Sequence, residues 1–174
     1  MAIRMINGFQ IYALTKEDVE YHPDEFQQQA QNWVEGSKRD KLSFEEIAEL
    51  KLKYGSKNMS KEDTIALFGD LVEAGIMSTS TARDIYHGAV PLDVSKIDPT
   101  KPSGVLTKCD AAYERQMNAL GITDGLGIMF RAGGLDSYRN WYEYAKSATD
   151  VDVENSRYFQ EYRQFLGILE QIGA

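Results

Sequence analysis

Hydrophobic positions along this chain recur mostly at three- and four-residue intervals, the spacing that lines one face of a helix. Phe26, Ala30, Trp33 and Val34 fall at i, i+4, i+7 and i+8 behind the capping residue Asp24, which predicts a helix through about Glu35. Residues 43–88 then predict three short helices with start and stop signals. Ser43-Phe-Glu-Glu46 opens the first and Tyr54-Gly55 closes it, while Ser60-Lys-Glu-Asp63 opens the second and Ala74-Gly75 closes it. The third begins near Ser78 or Ser80 and stops at His87-Gly88. In such openings the serine hydroxyl accepts from the amide three residues on, and the acid found there reaches back to the serine amide. Phe44, Ile47, Leu50 and Tyr54 share one predicted face, and Ile65, Phe68, Leu71 and Val72 another.

In the second half, Leu106, Cys109, Tyr113, Met117 and Leu120 form one stripe, and 136–148 groups Tyr138, Trp141, Tyr142 and Ala145. Tyr158, Tyr162, Phe165, Leu166, Leu169 and Ile172 make a long seam, suited to packing on its own domain or on a partner helix. Strand-like text is confined to residues 2–13. There Asn7-Gly8, between Arg4-Met5-Ile6 and Phe9-Gln10-Ile11-Tyr12, supplies the positive φ angles of a tight hairpin turn. The expected fold is mainly α, about six short-to-medium helices with a small N-terminal β-hairpin. A short-helix cluster occupies 1–88, a connector holding Pro91, Pro99 and Pro102 spans 89–104, and a three-helix unit fills 105–174. The two halves either stand apart or pack as one domain.

Composition narrows the function classes. The net charge of −8 is spread along the chain, and no basic stripe offers a footprint for nucleic acid or an anionic membrane. No apolar run approaches the roughly 18 residues of a membrane-spanning helix. Cys109 is the only cysteine, so no intrachain disulfide forms, and the start has no apolar run long enough for a signal peptide. A cytoplasmic location is expected.

Candidate chemistry is sparse. The only histidines are His22, before Pro23, and His87, at a helix end where a cation is favourable without catalysis. Cys109 falls on an apolar stripe, where a thiol behaves as a small hydrophobe. Asp150, Asp152, Glu154 and Glu161 match the oxygen spacing of a calcium-binding loop, with Asn155 in place of the turn glycine and Arg157 in place of an apolar residue. The same residues also read as helix punctuation: Asp152 as a cap and Glu161 on a solvated face. The glycine-rich stretch 121–134 suggests a ligand loop using Asp124, Gly125, Gly127 and Arg131, yet it lacks the lysine and Ser/Thr of a phosphate-binding loop. Tyr138, Arg139, Trp141, Tyr142 and Tyr144 bring together residue types enriched at protein interfaces, and Tyr144 lies off the stripe and is expected to face outward.

The stretch Lys53-Tyr-Gly-Ser-Lys-Asn-Met-Ser-Lys-Glu-Asp-Thr-Ile-Ala-Leu-Phe-Gly-Asp-Leu-Val-Glu-Ala-Gly-Ile-Met-Ser78 resembles a recurring segment of small helical proteins from Gram-positive gut bacteria. There a Tyr-x-x-x-x-Met-Ser/Thr loop leads into an acidic helix ending Gly-Val/Ile-Leu/Met-Ser. The resemblance covers about 26 of 174 residues and implies no activity. Met59-Ser60-x-x-Asp63 also resembles the end of a calcium-free EF-hand loop, with Gly55, Ser56 and Lys57 where ligating acids would precede it.

The functional expectation is a cytosolic, non-enzymatic regulator or accessory factor that acts by protein–protein contact. The alternative is a ligand binder or enzyme built on the 121–134 loop. Self-assembly through the last helix is a third reading.

Overall fold

The computed structural model describes residues 2–6, 9–13, 24–55, 59–93, 95 and 135–174. The fold is mainly helical. Among the described residues there are six α-helices: α1 (Glu25–Ala30), α2 (Phe44–Tyr54), α3 (Lys61–Glu73), α4 (Thr79–Tyr86), α5 (Leu135–Ala148) and α6 (Arg157–Ile172). The helical body lends the expected hairpin no support, and it is taken up below only as a proposal. The predicted stripe at 106–120, with Cys109, lies outside the described residues.

The local signals act as physical caps. Ser43 Oγ accepts from the Glu46 amide at 3.2 Å, and Glu46 Oε2 accepts from the Ser43 amide at 2.7 Å. Ser60 and Asp63 repeat the exchange, both bonds at 3.1 Å. Ser78, rather than Ser80, caps α4 by accepting from the Thr81 amide at 3.2 Å. Gly75 and Gly88 follow α3 and α4 at φ of 75° and 64°, the left-handed region that lets a chain leave a helix end.

α1 stops at Ala30, short of the expected Glu35. The reason is tertiary. The Gly36 and Arg39 amides donate to the Val72 and Gly75 carbonyls, each at 3.0 Å, so this segment is tied to the end of α3 instead of continuing its own helix. The approach is tight: a Cβ added at Gly36 would lie 2.1 Å from the Glu73 carbonyl oxygen. Trp33 still meets Phe26, edge-on at 5.1 Å, but Val34 leaves the stripe and is exposed.

α6 is the central element and packs on α2, α4 and α5. It buries Tyr158, Tyr162, Phe165, Leu169 and Ile172 of the expected seam, adds Phe159, Glu161 and Ile168, and leaves Leu166 partly buried. The Phe165 ring lies 5.0 Å from Phe68 on α3 and 5.0 Å from Tyr138 on α5, so three helices meet at one side chain. Burying such a ring contributes about 2 kcal/mol. Most of the seam is taken up by the protein's own core.

α2 departs from its expected face. Leu50 and Tyr54 are buried and Ile47 half-buried, but Phe44 is 93% exposed. Each three-residue step falls short of a full turn by about 60°, so Phe44, two steps before Leu50, is rotated about 120° off the buried direction.

Candidate functional site

The α5 aromatics are core residues. Trp141, Tyr142 and Tyr144 are buried, Tyr138 is half-buried, and Arg139 alone of the five is exposed. Tyr144, expected to face outward, packs against Trp141 with ring centroids 4.6 Å apart and planes tilted by 39°, because residues three apart on a helix lie one above the other. Tyr142 meets Phe159 and Tyr162 edge-on at 5.6 and 5.3 Å. The Tyr162 hydroxyl donates to the Tyr138 carbonyl at 2.9 Å. Arg139 pairs with Glu170 across to α6 at 3.0 Å. These residues hold α5 to α6 and offer no continuous exposed patch.

The four candidate calcium ligands do not converge. Asp150 accepts from the Asp93 amide at 2.8 Å, and Glu154 pairs with Arg163 at 3.2 Å. Asp152 accepts from Asn155 Nδ2 at 2.6 Å and from the Glu154 and Asn155 amides, and these bonds hold its carboxyl below the usual carboxylate range. Its role is to close a turn; the cap residue of α6 is Ser156. Glu161, expected on a solvated face, points into the core. Among the described residues no group of three His, Cys, Asp or Glu side chains is placed to hold a metal ion. His87 lies against Phe26 and Tyr86 and sits 3.1 Å from Asp24. His22, Cys109, Asp124, Gly125, Gly127 and Arg131 lie outside the described residues.

Two features were not expected from the sequence. The first is a buried polar node. Glu161, 2% exposed, accepts at Oε2 from both the amide and the hydroxyl of Ser78, each at 3.0 Å, and at Oε1 from Arg157 Nε at 2.6 Å. Glu35 accepts from the next amide, Thr79, at 2.7 Å, so two carboxylates and the Ser78 hydroxyl take the amides that open α4. Burial pushes the Glu161 carboxyl up, but hydrogen bonds from Arg157, the Ser78 amide and the Thr81 and Ser78 hydroxyls together outweigh it and hold the group below its ordinary value. With its oxygens engaged by donors, this carboxylate clamps α4 to α6.

The second is a groove of about 560 Å³ between the start of α2 and the later half of α6, with Leu42, Phe44, Ile47, Gly167, Ile168 and Gln171 among its walls. A Cβ added at Gly167 would meet nothing within 4 Å, so its wall there is open. Phe44 forms the lip. Along α2 from it, Ala48 and Leu52 are also exposed, Leu52 at 86%, making an apolar stripe at i, i+4 and i+8. That spacing was present in the sequence, but the competing Phe44–Ile47–Leu50–Tyr54 pattern obscured it. The arrangement can take an apolar side chain from outside the chain. No protein-family model, curated protein or solved structure gives a significant match to the chain.

Proposed function

We propose that this is a non-enzymatic cytoplasmic protein that acts by protein–protein contact, as a regulator or accessory factor, through the outer face of α2 and the adjoining groove. The observation that carries this reading is the exposed stripe Phe44, Ala48 and Leu52 beside a groove lined by Leu42, Ile47 and Ile168. Large apolar side chains clustered on a surface mark a place where another molecule excludes water. Phenylalanine beside a recess is the kind of anchor on which binding energy concentrates. Among the described residues no helix is long and apolar enough to cross a membrane. The hairpin at Asn7-Gly8 belongs to the same proposal: a lone two-stranded ribbon is marginal in water and gains stability by lying on helices or pairing with another chain.

Affinity capture from the native host, with wild-type and Phe44→Asp baits compared, tests the reading. A protein retained by the first and lost by the second supports it. Identical captures, with both baits folded, contradict it.

A further inference from the structure

We infer that the occupant of this face is a second copy of the chain, docked across a two-fold axis that passes over Ala48; this rests on the contact reading above. An isologous contact requires that position i meet j while j meets i. Glu45 and Lys51 stand three residues before and three after Ala48 and are both exposed. Three residues turn a helix through about 300°, so the two charges lie on opposite flanks of the Phe44–Ala48–Leu52 stripe and at opposite ends of it. An axis in the contact plane, lying obliquely to α2 at Ala48, exchanges those two positions. Glu45 of each copy then meets Lys51 of the other, giving two ion pairs of matched sign.

Three further observations fit this arrangement. Neither Glu45 nor Lys51 has an ion-pair partner among the described residues, whereas Glu46 and Lys53 on the same helix are paired with Arg39 and Asp70. Ala48 is the smallest side chain on the stripe and sits where two crossing helices approach most closely. Phe44 itself stands on the Ile47 flank of the stripe, beside the groove. The knob and the recess are thus on one face of one chain, as a self-complementary surface requires. A patch of one helix face and one groove is small, so the dimer is weak and reversible, with Kd on the order of 10–100 µM.

Sedimentation velocity from about 1 to 500 µM tests the inference on the full chain, with circular dichroism confirming that each variant is folded. The wild-type mass should rise from 19.7 kDa toward twice that value. Glu45→Lys and Lys51→Glu should each weaken association at least tenfold, and the Glu45→Lys/Lys51→Glu double variant should return it to within about threefold of wild type. Phe44→Asp should leave a monomer throughout. A wild-type protein that stays monomeric to 500 µM overturns the inference, and so does a double variant no better than the singles. If the wild type stays monomeric while Phe44→Asp still loses a different captured protein, the two-fold contact falls and the contact function stands. If neither self-association nor a Phe44-dependent partner is found, both fall.

Discussion

Ser78 and Glu161 lie 83 residues apart in sequence and are joined twice, the amide and the hydroxyl of Ser78 each donating to one Glu161 oxygen at 3.0 Å. A side chain of α6 thereby does for α4 what a local cap does elsewhere, and the first turn of α4 is fixed to the central helix. Glu161→Ala removes the acceptor and leaves a buried amide and the Arg157 guanidinium without it. The expected cost is about 3 kcal/mol in urea unfolding, against under about 1 kcal/mol for the exposed Glu143→Ala.

The same bonds set a pH dependence. The folded-state pKa of Glu161 is depressed, so its contribution is fully present above the unfolded pKa and is lost as pH falls through the folded value. Stability of the wild type should therefore decline below about pH 4.5, the ordinary glutamate range. Glu161→Gln, already uncharged, should start less stable and show a shallower acid decline. Equal slopes for the two proteins would assign the acid sensitivity to other carboxylates.

Trp141 and Phe44 should behave oppositely. Trp141 is buried against Tyr144, so Trp141→Ala should cost about 3–5 kcal/mol and disrupt the α5–α6 packing. Phe44→Asp exchanges an exposed ring for a charge in the first helical turn, where an acid is favoured, and should leave stability within about 0.5 kcal/mol. Thermal melts of the two variants distinguish a core aromatic from a surface one.

Gly69 in α3 makes room for Trp33. A Cβ at this position would lie 2.8 Å from the indole Nε1 and 2.9 Å from Cε2. Alanine normally gains about 1 kcal/mol over glycine inside a helix. Here Gly69→Ala should instead destabilise by about 1–2 kcal/mol, because the indole must move off α3. A red shift in tryptophan emission accompanying the loss would identify Trp33 as the group displaced.

The parts of the fold legible in the sequence are those set by local hydrogen bonds. The Ser43–Glu46 and Ser60–Asp63 exchanges operate over three residues, and Gly75 and Gly88 release helix ends through their own backbone freedom, so composition in a short window reveals them. What was hidden depends on distant partners. The stop of α1 at Ala30 follows from bonds to the end of α3, and the burial of Glu161 follows from a serine that meets it only after folding. The off-stripe position of Tyr144 suggests exposure, while its three-residue spacing from Trp141 brings the two rings together. On α2 two apolar patterns compete for the same helix, and packing against α6 selects the one that leaves Phe44 and Leu52 outside.

The proposed contact surface is the Phe44 face of α2. A photoreactive benzoylphenylalanine placed at position 44, and separately at the exposed control position Glu143, tests it in cells of the native host. A discrete crosslinked species is expected from position 44, either a copy of this chain or one other protein, absent from the control. The same diffuse products from both positions would contradict it.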